Sequence, residues 1–144
     1  MNDVDEQNGM AERTGLDEQF GDGTTRRLED VAALCRRAEQ LAAKGRDWYD
    51  SDPDLQVPHL AADALVLKLG AAVRRLPEQF LQEHRGDPSW RRAIGMRHRL
   101  AHEYDAVDYD LVWGVVSQHA AQLCGHVEEL LTDAGPDGDP PVPP

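Results

Sequence analysis

The sequence predicts an all-α, up-and-down bundle of four to five helices. Three observations carry that expectation. Apolar residues recur at steps of three and four in every long segment, no stretch alternates with the period of a strand, and the segments are joined by short turns rich in Gly, Pro and Asp. With 40% hydrophobic residues in 144, one domain with a modest core is expected.

Taken in order, residues 1–23 carry seven acids against Arg13 without sustained periodicity, and read as a disordered acidic segment. The helical domain is expected over 24–132. Thr24 and Thr25 are candidate N-caps for a first helix with Leu28, Val31, Leu34, Cys35, Ala38 and Leu41 on its inner face. Gly45 marks its end, and the run Asp50-Ser51-Asp52-Pro53-Asp54 is a turn. A second helix starts near Pro58, with Val57, Leu60, Ala61, Ala64, Leu65, Leu67 and Ala71 on its inner side. His59 and Asp63, four apart, are expected as a solvated pair. Pro77 breaks this helix and 78–83 forms a short one. Ser89 is the candidate cap of a helix from Trp90 to about Glu103, and Asp108 caps the last helix. That helix carries a stripe of Leu111, Val112, Val115, Val116, Leu123, Val127, Leu130 and Leu131, with His119 and His126 read as core or interface histidines. Residues 133–144 form a disordered Gly/Pro tail.

Composition excludes several classes. No apolar run is long enough for a membrane span, and no leader is read at the start, so cytoplasm is the expected compartment. Cys35 and Cys124 are expected as buried free thiols, and no metal site is expected. The net charge of −12 argues at first against nucleic acid, but its distribution does not. Residues 1–23 hold −6 and the tail from Asp133 holds −3, which leaves −3 for everything between. Between Arg85 and Leu100, Arg85, Arg91, Arg92, Arg97 and Arg99 stand against a single acid, Asp87, so a local surface for phosphate is compatible with an acidic chain.

The chemically densest stretch is 90–113, WRRAIGMRHRLAHEYDAVDYDLVW. Its inner part spaces Arg97, His102 and Tyr104 as Arg-x-x-x-x-His-x-Tyr. In a chain with this many arginines, an Arg–His pair at that offset is expected about half a time by chance; adding the tyrosine lowers this to about one in a hundred. Looser versions pair Arg91 or Arg92 with His98. On an ideal helix His98 and His102 lie about 40° apart, but Arg97 and His102 about 140°.

The run from Ile94 to Tyr104, followed by Val107-Asp108 and Leu111-Val112-Trp113, resembles the HepT toxins of the HEPN superfamily, as do Gly70 and the Pro88-Ser89-Trp90 triplet. Two departures are His98, where the family often has Asn, and Ala71, where an acidic residue often follows the glycine. The resemblance implies a HEPN-like bundle acting as the toxin of a type II (HEPN/MNT, HepT/MntA-like) toxin–antitoxin system. Its implied activity is that of a metal-independent endoribonuclease. Arg97 and His102 are the implied catalytic residues and His98 the substrate-orienting one. Arg91, Arg92 and Arg99 are candidate RNA contacts, and a homodimer is implied, with the last helix one candidate surface for it. Tyr104 is the implied site of AMP addition by an MntA-like nucleotidyltransferase antitoxin, which uses ATP; the chain itself is expected to need no cofactor. The rival expectation is a non-catalytic HEPN-like module that binds a nucleotide or the partner nucleotidyltransferase.

The chemistry fits the residue types. RNA is cut without metal when a base takes the 2′-hydroxyl proton and a cation steadies the charge growing on the phosphoryl oxygens. Histidine suits the first task near neutral pH, and the permanently charged, planar arginine fork suits the second.

Overall fold

The computed structural model describes residues 14–133. In chain order the elements are α1 (Thr14–Phe20), α2 (Thr24–Ala42), α3 (Arg46–Tyr49), α4 (Val57–Arg74), α5 (Glu78–Glu83) and α6 (Pro88–His102). A 3₁₀ turn (Tyr104–Ala106) then leads to α7 (Tyr109–Gly114), a π turn (Val115–His119) and α8 (Ala120–Asp133). No strand occurs among the described residues, and none of their helices is long and apolar enough to cross a membrane.

The bundle is all-α, as the periodicity predicts. Helix α4 packs against α2 on one side and α6 on the other, while α2 also packs along α8. Their inner faces meet in a core of Leu28, Val31 and Cys35 from α2, Ala62, Val66 and Val73 from α4, Trp90 from α6, and Val116, Leu123 and Val127 from the last helical run. Each large apolar side chain buried this way contributes about 1.5–3 kcal/mol. Both thiols are buried and free; burial, followed by the neighbouring charges, pushes Cys35 up to about 12 and Cys124 up to about 11.

The structure corrects several expectations. Residues 14–22 are not part of a disordered segment: α1 buries Leu16 and Phe20, and Phe20 sits edge-on to Phe80 with ring centroids 5.1 Å apart. Leu16 and Phe20, four apart, supply one apolar face that a seven-residue helix can bury, a signal too short to register as periodicity. The expected disorder of residues 1–13 and 134–144 lies outside the described residues. The cap of α2 is also different. Asp17 reaches forward from α1 and its carboxylate accepts from Gly23 N at 3.2 Å and Thr25 N at 2.8 Å. Similarly, α6 is capped by Asp87, which accepts from Ser89 N at 3.0 Å, two residues earlier than the Ser89 expectation.

The inner face of α4 is rotated from the expected one. Ala62, Val66, Leu69, Gly70 and Val73 are buried, whereas Val57 and Leu60 are exposed. The helix is apolar on most of its circumference, so spacing alone does not choose the phase. Val115, Val116, Leu123 and Val127 are buried within this chain, so that part of the last helix is core and not free for a second copy.

The far end of the bundle is closed by a polar and aromatic network rather than by the expected solvated His59–Asp63 pair. His59 stacks on Tyr109 at 3.9 Å, bonds Asp50 Oδ1 through Nε2 at 2.9 Å, and lies 4.3 Å from the Tyr49 ring. Arg46 donates to Asp50 at 2.7 Å and also pairs with Asp110. Tyr49 Oη donates to the Tyr109 carbonyl at 3.1 Å, so α7 is tied to both α3 and α4. Burial pushes the Asp63 carboxyl up, with His59 opposing.

Two outcomes are expected. Leu16→Ala should lower stability by about 2–5 kcal/mol in equilibrium urea unfolding; an unchanged midpoint would place α1 off the core. Arg46, and after it His59, hold the Asp50 carboxyl below its usual range. A depressed carboxyl stabilises the fold above its unfolded pKa, about 3.9, and that contribution disappears as pH falls through the folded value. Asp50→Asn should therefore flatten the loss of stability on acidification below about pH 4; an unaltered acid limb would contradict this.

Candidate functional site

Helix α6 carries the site, and its sequence explains how. Asp87 and Pro88 start it; Trp90, Ala93, Met96 and Leu100 are buried, at steps of three, three and four. That phase turns Arg91, Ile94, Gly95, Arg97 and His98 towards α4 and α5. There they line a surface cleft of about 530 Å³ together with Arg74, Glu78 and Leu81.

Arg97 reaches the cleft because Gly70 has no side chain. A Cβ placed on Gly70 would lie 2.3 Å from Arg97 Cβ and 2.6 Å from the Ala93 carbonyl oxygen, inside any tolerable contact. The backbones of α4 and α6 therefore approach at this glycine, and the arginine stem lies across it, half-buried. The guanidinium has no carboxylate partner among the described residues, and neither do those of Arg91 and Arg74. Glu78, the one acid of the cleft, accepts from Gln82 Nε2 at 3.1 Å instead.

The two histidines of the stretch lie one turn apart. His98 and His102 are exposed, with ring centroids 4.3 Å apart at 57°. His98 lines the cleft beside Arg97, and His102, the last residue of α6, touches His98 from the next turn. The 140° offset between Arg97 and His102 is thus bridged by His98. His102 does not itself line the cleft in one chain.

The remaining candidates separate. Arg91 is in the cleft. Arg92 points elsewhere, its Nη1 standing 2.9 Å from His119 Nδ1, and burial, then the Arg92 charge, holds His119 low. The π turn supplies this contact: Ser117 Oγ donates to the Trp113 carbonyl at 2.6 Å, and the widened turn ends in His119. Arg99 pairs with Glu103 at 3.2 Å on the exposed face. His126 pairs with Asp87, the cap of α6. The backbone of Tyr104 begins the 3₁₀ turn; the expectation for its side chain lies outside what is described. Among the described residues no group of three or more His, Cys, Asp or Glu could hold a metal ion.

Sequence reasoning missed Arg74, Glu78 and Leu81 as cleft residues, and the reason for Gly70. An isolated glycine inside an apolar helix costs about 1 kcal/mol against alanine, which is itself a signal of close packing.

Among the described residues the fold and the site define an all-α bundle presenting an arginine without a carboxylate partner and two touching imidazoles on one helix. The Ribonuclease HepT-like family model matches residues 31–130, and the chain belongs to that family, within the HEPN superfamily. Among its relatives, "Putative RNase TTE0752" of Caldanaerobacter subterraneus subsp. tengcongensis is 36% identical over 63 residues, 44% of this chain and 55% of that protein. "Probable ribonuclease HepT" of Thermococcus cleftensis is 29% identical over 103 residues, 72% of this chain and 91% of that protein. The first of these matches spans little more than half of the relative's length. No solved structure matches the chain.

Gly70 allows a paired test. Gly70→Ala should destabilise by about 1–3 kcal/mol through overpacking, despite the gain in helix propensity. Gly125→Ala, where a Cβ would meet nothing within 4 Å, should instead stabilise by about 0.5–1 kcal/mol. Equal urea midpoints for the two variants would remove the close approach at Gly70.

Proposed function

We propose that this protein is a metal-independent endoribonuclease, the toxin of a type II HEPN/MNT toxin–antitoxin system. The observation that carries the reading is the Arg97 guanidinium, without a carboxylate partner among the described residues, in the α4/α6 cleft beside His98, which touches His102. Family membership points the same way.

In this reading Arg97 binds the scissile phosphate and stabilises the charge that grows on its equatorial oxygens. His102 accepts the 2′-hydroxyl proton. The 2′-oxygen attacks phosphorus, the bond to the 5′-oxygen breaks, and the products are a 2′,3′-cyclic phosphate and a 5′-hydroxyl. His98, between the arginine and His102, orients the phosphate, and a protonated imidazole of the pair donates the proton that the leaving 5′-oxygen takes up. Arg91 holds a neighbouring phosphate. A cytoplasmic homodimer would bring His102 of one copy towards the cleft of the other. AMP groups transferred from ATP to Tyr104 by the antitoxin would add negative charge beside the site and repel the RNA backbone.

One observation favours a second reading. His102 is exposed at the end of α6 and stands outside the cleft, as in a non-catalytic module that binds a nucleotide or the nucleotidyltransferase.

Cleavage separates the two. Purified wild-type protein should cut single-stranded RNA equally with and without EDTA. His102→Ala should lower the rate by about 10²–10⁴-fold and Arg97→Ala by about 10²–10³-fold. No cleavage by the wild type, or an unchanged rate in both variants, would leave the module. For the antitoxin, intact mass after incubation with an MntA-like nucleotidyltransferase and ATP should rise in steps of one AMP, and not in Tyr104→Phe; a constant wild-type mass would remove that part.

A further inference from the structure

A second cationic groove lies on the other flank of α4. It has a volume of about 370 Å³ and is formed between α2 and α4. Its charged rim is Arg27, Arg37, Lys68 and Arg75 against Asp30 alone, over a floor of alanines and Leu34. The four cations are exposed, and none forms an ion pair or hydrogen bond with a described side chain. In a chain of net charge −12, four uncompensated cations around one trough are out of keeping with a merely solvated face.

Its position matters as much as its sign. Arg75 lines this groove and Arg74, its neighbour in the chain, lines the Arg97 cleft. The two grooves are therefore separated by the outer ridge of one helix, a width of about 10 Å. Together they present Arg27, Arg37, Lys68, Arg74, Arg75, Arg91 and Arg97 against Asp30 and Glu78. The small floor residues Ala33, Ala71 and Ala72 leave room for a sugar–phosphate chain between the flanking cations.

We infer that the α2/α4 groove is a second phosphate-binding site that holds the backbone of the RNA strand whose scissile phosphate lies at Arg97. This rests on the nuclease reading for the identity of the ligand, and gives that reading a direction: the strand crosses α4 between Arg74 and Arg75. Contacts with exposed Arg and Lys carry no base information, so the groove adds affinity and orientation without sequence preference. It also makes affinity depend on length, because a short oligonucleotide seated at Arg97 does not cross the helix.

The test uses 2′-O-methyl oligouridylates, which have no free 2′-hydroxyl and cannot be cut, so binding is read independently of catalysis. Fluorescence anisotropy would compare the full-length wild type with Lys68→Glu/Arg75→Glu, and with Arg27→Ala/Arg37→Ala as a milder second variant, on strands of about 16 and about 4 nucleotides. All four positions are exposed, and circular dichroism checks the fold. The charge-reversed variant should bind the long strand about tenfold more weakly near physiological salt, with the slope of log K against log salt reduced by about 1.4 for two lost phosphate contacts. Its affinity for the short strand should fall far less. Wild-type affinity and slope in both variants, an equal loss on both strand lengths, or no binding of the long strand by the wild type would each overturn the groove. Loss of binding to polyglutamate with RNA binding intact would assign the groove to an acidic polypeptide and likewise overturn it. The nuclease reading is scored separately by His102→Ala cleavage: groove-dependent binding without wild-type cleavage would retain the groove and remove the nuclease, and cleavage without groove dependence would do the reverse.

Discussion

The close approach of α4 and α6 at Gly70 is the contact on which the site depends. It replaces a side chain with the stem of Arg97, whose Cβ would otherwise clash at 2.3 Å, and so sets both the spacing of the two helices and the place where the guanidinium emerges. The cost is a glycine in a helix interior, about 1 kcal/mol, offset by packing of the arginine's methylenes against the neighbouring backbone. The helix ends are held separately. Asp87 caps α6 and pairs with His126, while Asp108 accepts from Asp110 N at 3.0 Å and restarts the chain as α7 after the 3₁₀ turn. Arg97, His98 and His102 are thus carried on a helix fixed at its start, at Gly70 and just beyond its end.

Charge is sorted by position rather than by amount. The segment 1–23 and the tail hold most of the negative balance, while seven cations without an ion pair among the described residues line the two flanks of α4. Three arginines elsewhere on the surface are paired instead. Arg36 pairs with Glu128 at 3.3 Å, Arg46 with Asp50 and Asp110, and Arg99 with Glu103. Exposed pairs like these add little stability, about 0–1 kcal/mol each, but they neutralise cations that would otherwise compete for an anion. An acidic protein can in this way present a phosphate surface on one face only.

The all-α class, the positions of the long helices and the Asp108 cap were legible because each follows from local periodicity or a cap within four residues. The phase of α4 was not: with Val57, Leu60, Leu65, Leu67 and Leu69 all apolar, the buried side is chosen by α2, α6 and Gly70, which are distant in the chain. The helix α1 was illegible for a related reason, since two apolar residues in seven mean nothing until Phe80 is known to wait for Phe20. At the site, the motif placed Arg97, His98 and His102 on one helix. The cleft itself needs Arg74, Glu78 and Leu81 from other elements, and no spacing within α6 announces them. Arg92 and Arg99 looked equivalent to Arg91 in the sequence; their partners, His119 and Glu103, distinguish them.

In the proposed chemistry Arg97 holds the phosphate and an imidazole deprotonates the 2′-hydroxyl that attacks it. The most direct measurement is the structure of the cut ends. An RNA–DNA chimera with a single ribonucleotide, incubated with the purified protein in EDTA, should be cut only on the 3′ side of that ribonucleotide. Mass spectrometry should then find a 2′,3′-cyclic phosphate, or the monophosphate it hydrolyses to, opposite a 5′-hydroxyl. Cutting at deoxynucleotide positions, or 3′-hydroxyl and 5′-phosphate ends, would contradict the role given to the histidines.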